Sequence, residues 1–203
     1  MVICLCATTA KSAPCSKHVL ILDGSPHTDG PTAWLIDTAS RLLEGRAEVT
    51  RLRCFDRPVQ PCDDCRACYR IRGCSKRDLD DFYVWLERAD AVIFACPVYN
   101  ASFPAPMKAV LDRLQRYWSA RFIQHVRPPI ERPKKAALLT TGGSDDPWGA
   151  LPLETQLRPL LTVINTRLLG AAHICATDKQ WDPKPYAQRV EALVDGLLEE
   201  PES

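Results

Sequence analysis

The sequence predicts an α/β fold, a doubly wound parallel sheet of five strands with helices on both faces. Three observations carry this. Apolar runs and helical patterns alternate from residue 17 to the end of the 203-residue chain. The runs, such as Val19-Leu20-Ile21-Leu22 and Ala91-Val92-Ile93-Phe94-Ala95, are unbroken, as in strands buried on both faces of a parallel sheet. Each strand pattern is followed by a loop and a helix, and such crossovers return right-handed to the same sheet.

Strands are expected over 18–23, 47–53, 90–96, 135–141 and 167–175, and helices over 31–44, 78–89, 104–118, 150–164 and 183–199. The first strand ends at Asp23, and the loop Gly24-Ser25-Pro26-His27-Thr28-Asp29-Gly30-Pro31-Thr32 leads into the first helix. The second helix places Leu79, Phe82, Leu86 and Ala89 on one stripe. Asp78, Asp80 and Asp81 crowd its first turn, where the positive end of the helix dipole favours them. The helix near 104 opens with Pro104 and Pro106, tolerated where no N–H partner is lost, and then sets Met107, Val110, Leu111 and Leu114 on one face. Gln124 to Lys135, rich in Pro and basic residues, reads as a surface connection whose charges are solvated. The sharper alternative gives Arg127, Arg132 or Lys134 a grip on a nucleotide phosphate. In the flavodoxin-like strand order 2-1-3-4-5 the topological switch falls between strands 1 and 3, so the loops after them flank the expected ligand crevice.

Composition narrows the class. Charged residues at 25% and hydrophobic residues at 46% are ordinary for a soluble globular chain. A net charge of +1 gives no electrostatic footprint for nucleic acid or an acidic membrane. No apolar stretch approaches the roughly 20 residues of a membrane span. Residues 17–203 read as a single domain. Residues 1–16 lack a positive region ahead of their apolar part and read as a disordered leader. Ten cysteines in a chain of this size fit the reducing cytoplasm better than a small secreted disulfide scaffold. Cys96 and Cys175 sit in strand-like runs and Cys54 at a strand end, all expected as small buried hydrophobes.

Three loops share one edge of the expected sheet. In the first, Gly24 and Gly30 permit positive φ and close backbone approach, while Ser25, Thr28 and Thr32 offer hydroxyls. The loop enters a helix N-terminus, which attracts an anion such as a phosphomonoester. The pattern is neither G-x-G-x-x-G nor a Walker A loop, and His27 reads as a turn residue rather than a base. The second loop, Cys96-Pro97-Val98-Tyr99-Asn100, supplies backbone amides from Val98 to Ala101 and an aromatic ring at Tyr99. Such a surface suits a flat isoalloxazine, with Tyr99 either stacking on it or packing beneath the loop. The third loop, Thr140-Thr141-Gly142-Gly143-Ser144, lets backbone approach the ring and ribityl chain. Trp148 either covers the site or belongs elsewhere. Together the loops predict a flavin mononucleotide (FMN) site.

The segment Cys62-x2-Cys65-x2-Cys68-x5-Cys74 is the chain's most distinctive chemistry. Its thiolates suit a [4Fe–4S] cluster, with Arg66, Arg70 and Arg72 offsetting negative charge. Structural zinc usually spreads its C-x2-C pairs further apart, and free or redox-active thiols remain open.

These residues resemble the NADPH-dependent FMN reductase family and, within it, the branch of iron–sulfur flavoproteins. The resemblance runs from about 17 to about 176. It rests on Gly24-Ser25-Pro26 with Gly30-Pro31-Thr32, and on the four-cysteine segment ending in Asp80-Asp81. Its most specific part is Cys96-Pro97-Val98-Tyr99-Asn100 followed by Ala105-Pro106-Met107-Lys108-Ala109-Val110-Leu111-Asp112-Arg113. It implies a flavodoxin-like fold, tightly held FMN and a homodimer or homotetramer. It implies phosphate contacts from Ser25 and the 30–32 turn, with His27 beside them, and ring contacts from Pro97, Val98, Tyr99 and Asn100 and from Thr141, Gly142 and Gly143. His27, Pro31 and Cys96 depart from the family's usual basic residue, Asn and Ser.

The expectation is an FMN-dependent NAD(P)H oxidoreductase passing electrons to a small-molecule acceptor, a quinone, flavin or similar compound. No side chain need act as acid or base, because the flavin carries the chemistry. The first alternative is an iron–sulfur flavoprotein electron carrier that takes electrons from a ferredoxin-like protein through Cys62, Cys65, Cys68 and Cys74. The second is a non-enzymatic zinc or thiol redox module.

Overall fold

A computed structural model describes residues 17–179 and 181–200. The leader reading of 1–16 lies outside the described residues. Five strands, β1 (Lys17–Asp23), β2 (Ala47–Arg53), β3 (Ala91–Pro97), β4 (Lys134–Thr141) and β5 (Thr166–Ile174), form one sheet in the order β2-β1-β3-β4-β5. Every pairing is parallel, with Val19 opposite Val49 on one side and Ala91 on the other. Between them run α1 (Gly30–Leu43), α2 (Asp80–Arg88), α3 (Ala105–Asp112), α4 (Gln115–Phe122), α5 (Leu151–Val163) and, after β5, α6 (Lys184–Leu198).

Successive strand residues point to opposite faces, and the sheet therefore builds two cores. Leu20, Leu22, Val92 and Phe94 pack with Phe82, Leu86, Met107, Val110 and Leu157 on one face. Val19, Ile21, Ala91 and Ile93 pack with Leu35, Ile36, Val190 and Leu193 of α1 and α6 on the other. Both cores are sealed, and the chemistry is left to the loops at the carboxyl edge.

The expected helix at 104–118 is two helices. Arg113 N–H bonds to Val110 O at 3.1 Å and Leu114 N–H to Leu111 O at 3.0 Å, tight turns that end α3 and start α4. The bend follows from Arg113, whose buried side chain turns toward the segment between β2 and α2. Asp78 lies ahead of α2 rather than in its first turn, because its carboxylate is bonded to Arg113. Cys175 falls one residue past β5 and is partly exposed, unlike buried Cys54 and Cys96. The 124–135 connection is not wholly solvated: Ile130 and Lys134 are buried, and Lys134 opens β4. Arg132 and Lys134 thus stand at the amino edge of the sheet, the wrong edge for gripping a flavin phosphate.

Candidate functional site

Asp23 ends β1 and is fully buried. One oxygen accepts the Ser25 N–H at 2.8 Å, and the other accepts Arg51 Nη2 at 2.8 Å and Arg53 Nε at 3.1 Å from the neighbouring strand. This carboxylate locks the first loop to the sheet. Gly24 follows because nothing larger fits: a Cβ there would lie 2.5 Å from Met107 Sδ and 2.9 Å from Cys96 Cβ. Ser25 Oγ donates to His27 O at 3.0 Å and accepts the His27 N–H at 3.2 Å, a local turn that occupies both hydroxyl roles. Ser25 therefore shapes the loop with both its amide and its hydroxyl.

What the loop presents is the start of α1. Its N-cap residue, Asp29, makes no side-chain capping bond, Gly30 takes a φ of +85°, and Pro31 has no N–H to lose. The remaining first-turn amides have no intrahelical acceptor. The Thr32 and Thr141 hydroxyls meet at 2.7 Å and tie this helix end to β4.

The second loop is a two-residue turn. Tyr99 N–H bonds to Ser102 O at 3.0 Å and Ser102 N–H to Tyr99 O at 2.9 Å. Asn100 and Ala101 sit between them at φ of 50° and 56°, the left-handed pair of a type I′ turn. Val98 N–H is committed to Thr141 O at 2.8 Å. The expectation of ligand-facing amides from Val98 onward thus narrows to Asn100 and Ala101, whose N–H groups the turn does not use. Tyr99 is 46% exposed, so its ring is not packed under the loop.

The third loop is held by Gly142 N–H on Ile174 O and Thr177 N–H on Gly142 O. Under it lies His173 of β5, its Nδ1 2.9 Å from Thr140 Oγ1 and its Nε2 buried without a hydrogen-bond partner among the described residues. Burial holds its pKa below the ordinary imidazole value, against the opposing pull of Asp146.

These loops enclose a cleft of about 280 Å³. Ser25, His27 and Thr32 line it from the first loop, Pro97, Val98 and Tyr99 from the second, and Thr141, Gly142 and Gly143 from the third. Gly30 and Asn100 fall just outside the lining. Trp148, 73% exposed, covers neither the cleft nor a core. Sequence reasoning missed Asp29, Thr177 and Asp178, which also line the cleft. Asp178 packs so closely on Gly143 that a Cβ there would clash with its carboxylate. No arginine or lysine is in the lining, so an anion here is held by main-chain dipoles.

Cys62, Cys65, Cys68 and Cys74 line one further pocket, between β2 and α2. Its floor is Arg113, only 1% exposed, which donates to Gln60 O (2.7 Å), Lys76 O (2.8 Å) and Asp78 Oδ1 (2.9 Å). The Arg113 Nε has no partner among the described residues. Cys65 accepts or donates a 3.3 Å contact with Ser75 Oγ, which lowers its pKa, whereas burial raises that of Cys68. Among the described residues no three His, Cys, Asp or Glu side chains converge on a single metal ion. A tetrahedral zinc site needs that convergence. Each cubane ligand instead binds a different iron, so cluster thiols stand further apart.

The fold and the cleft define a flavodoxin-like flavoprotein scaffold. Residues 18–180 match the family model described as NADPH-dependent FMN reductase, and the chain belongs to that family of oxidoreductases. It is 35% identical over 103 residues to an iron–sulfur flavoprotein of Archaeoglobus fulgidus, covering 50% of this chain and 46% of that protein. It is 32% identical over 94 residues to one from Methanosarcina thermophila, covering 45% and 49%. The chain thus aligns with about half the length of these relatives. An NAD(P)H:quinone oxidoreductase from Methanothermobacter marburgensis shares the fold at a TM-score of 0.73 and 18% identity, covering 93% of this chain and 100% of that one. Among the described residues no helix is long and apolar enough to cross a membrane.

Proposed function

We propose that this chain binds FMN in the rim cleft and acts as an NAD(P)H-dependent oxidoreductase with a quinone, a flavin or a similar small molecule as acceptor. The observation that carries this is the uncapped start of α1 opening onto the same cleft as the Pro97–Tyr99 and Thr141–Gly143 loops. Bound there, FMN would supply the hydride-accepting and electron-donating chemistry between a nicotinamide and the acceptor. The first-turn amides of α1 would hold its phosphate, helped by the helix dipole. The backbone at Gly143 in the lining, and the free turn amides of Asn100 and Ala101 beside it, would orient the ring edge. Fixed main-chain dipoles of this kind stabilise charge without reorganising. The test is FMN titration of the purified protein, followed by anaerobic addition of NADPH or NADH. Stoichiometric retention of flavin and bleaching by either nucleotide are expected; failure to retain FMN at saturation overturns the reading.

A second reading is favoured by one observation, the four thiols grouped over Arg113, whose Nε has no hydrogen-bond partner among the described residues. Such a donor set fits a [4Fe–4S] cluster: soft ligands for iron, and a buried guanidinium to offset the cluster's negative charge. In this reading the protein is an electron carrier, a ferredoxin-like protein is its partner, and Cys62, Cys65, Cys68 and Cys74 are the ligands. Anaerobic purification with iron and acid-labile sulfide analysis decides it: their absence removes this reading and leaves the flavin chemistry intact. We also propose a homodimer or homotetramer, supported by exposed Phe122, Ile123, Trp148 and Leu151, and a cytoplasmic location, supported by seven free cysteines among the described residues.

A further inference from the structure

Residues 65–77 carry five Arg or Lys and residues 113–130 carry four, with no Asp or Glu in either stretch, on a chain whose net charge is +1. Side chains of α4 and the residues just after it join the two stretches. Gln124 Nε2 donates to Cys68 O at 2.9 Å and to Ile71 O at 3.0 Å, and Ser119 Oγ donates to Cys68 O at 2.7 Å. Aromatic rings continue the join: the centroids of Tyr69 and Trp118 lie 6.4 Å apart, and those of Trp118 and Phe122 5.4 Å.

Three hydrophobic residues, Ile71, Phe122 and Ile123, stand exposed at this join. Arginines border them. Arg70 and Arg72 flank Ile71, and the Arg121 guanidinium lies 5.6 Å from the centre of the Phe122 ring. Neighbouring cations are already paired: Lys76 with Asp63 at 2.9 Å, Arg66 with Asp64 at 3.1 Å and Arg113 with Asp78 at 2.9 Å. Among the described residues Arg70, Arg72 and Arg121 have no carboxylate within ion-pair distance. Arg70 and Arg72 do not line the four-thiol pocket either, so their charge is not spent on the thiols.

We propose that this apolar patch with its arginine border is the docking surface for a small acidic electron-transfer protein. The proposal rests on the reading of the four thiols as an electron port, and it gives that port a partner face. Cys68 lines the thiol pocket, and its carbonyl is held by Ser119 and Gln124 from the side of the patch. A partner seated on the patch therefore stands beside the pocket. An apolar centre rich in aromatic and Arg side chains is the anatomy of a protein interface. Electron-transfer encounters are small and weak, and charge steers them. The partner's carboxylates meet the three arginines that lack a counter-charge, and its apolar centre meets Ile71, Phe122 and Ile123. A second copy of this chain fits poorly, because a two-fold contact sets Arg70, Arg72 and Arg121 against their own copies. Self-association then falls to Trp148 and Leu151.

The test is calorimetric titration of the anaerobically purified, FMN-saturated protein at about 20 mM salt. The probe is an oxidised plant-type [2Fe–2S] ferredoxin, an acidic carrier, with cytochrome c as a basic one. Saturable binding of the ferredoxin and none of cytochrome c are expected. Raising the salt to about 200 mM should weaken binding at least about tenfold, since the screening length falls from about 20 Å to about 7 Å. Arg70→Glu combined with Arg72→Glu, both at exposed positions, should weaken it at least about tenfold, with flavin spectrum and melting temperature unchanged. No saturable ferredoxin binding by the wild-type protein overturns the surface. Unchanged affinity in the double variant overturns its location. A single-stranded oligonucleotide binding as tightly overturns the protein assignment. A wild-type dimer that Ile123→Asp turns monomeric in sedimentation assigns the patch to a second copy instead. Salt-dependent ferredoxin binding by protein without iron or acid-labile sulfide removes the cluster reading alone and leaves the docking surface standing.

Discussion

Arg113 Nη1 lies 2.9 Å from Asp78 Oδ1, and this pair, a buried guanidinium on a half-buried carboxylate, closes the cysteine segment on itself. Gln60 O, before Cys62, and Lys76 O, after Cys74, bond to the same guanidinium at 2.7 and 2.8 Å. One side chain from the α3–α4 bend thus holds both ends of a long loop that has little hydrophobic packing of its own. Arg113→Met should cost about 2–3 kcal/mol, because the Gln60 and Lys76 carbonyls lose their donor and Asp78, partly exposed, keeps only the Gln60 N–H. Arg113→Lys should recover little, since an ammonium cannot reach three divergent acceptors. Urea unfolding checks both; a loss near zero for Arg113→Met would mean the segment is held by something else.

The same pair sets an acid limit. Burial alone would raise the Asp78 pKa, but the Gln60 N–H and Arg113 outweigh it and hold it below the ordinary 3.8. A depressed carboxylate contributes stability that is complete above its unfolded pKa and disappears as pH falls through the folded one. Asp78→Asn should therefore be less stable than wild type at neutral pH. The gap should close as pH falls below about 4. A gap constant down to the lowest accessible pH would exclude the linkage.

Cysteine reactivity should divide by location. Cys65 is exposed and its pKa is lowered by Ser75, so its thiolate is the most available. Burial pushes Cys54 up to about 12 and raises Cys96 further. Brief iodoacetamide treatment of the cluster-free protein near neutral pH should label Cys65 first and leave Cys54 and Cys96 unmodified until unfolding. Mass mapping that finds Cys54 or Cys96 among the first sites modified would contradict the buried sheet edge.

Strand order and the three rim loops were legible because each rests on local pattern: unbroken apolar runs, and Gly, Pro and hydroxyl residues at their carboxyl ends. Less was legible where one long-range contact decides. Arg113 sits in a helical apolar pattern, and nothing near it in sequence announces Asp78, 35 residues away. The committed amide of Val98 was equally hidden, since its acceptor is Thr141 O, on a different strand. Asp178 reaches the cleft only because β5 lies beside β4. Type I′ geometry at 100–101 had half a signal: Asn suits positive φ, whereas Ala does not.

Gly24 is fixed by contact rather than by φ. Its missing Cβ would stand 2.5 Å from Met107 Sδ and 2.9 Å from Cys96 Cβ, where a packed helix meets a central strand. Gly24→Ala should destabilise by about 1–3 kcal/mol through overpacking. Pairing it with Met107→Ala should cost less than the two single changes summed, because the shortened side chain vacates the collision. Simple additivity in thermal melts would show that the strand end moves aside instead.

Ala101 holds a φ of 56° in the turn whose Asn100 and Ala101 amides stay unused by the turn itself. An L-residue with a Cβ is strained there, and glycine is not. Ala101→Gly should raise stability by roughly 1 kcal/mol, less the extra chain entropy glycine gives the unfolded state. Asn100→Ala should lower it. A fall in melting temperature for Ala101→Gly would show that the turn's strain is relieved elsewhere.

His173 gives the rim a pH response with a definite sign. Its ring packs against the third loop so closely that a Cβ at Gly142 would lie 3.1 Å from Cε1, and one at Gly149 2.7 Å from Nε2. Burial keeps the folded imidazole neutral below the ordinary 6.5, while the unfolded chain titrates normally. As pH drops through that value the unfolded state binds a proton the folded state refuses, so stability falls, and it levels off only below the folded pKa. The wild-type protein should therefore lose more stability between about pH 7 and about pH 5 than His173→Gln, which keeps a hydrogen-bonding group for Thr140 and cannot charge. Urea unfolding at the two pH values measures the difference. Parallel losses in the two proteins would mean that the imidazole is protonated without strain, and that the loop over it yields.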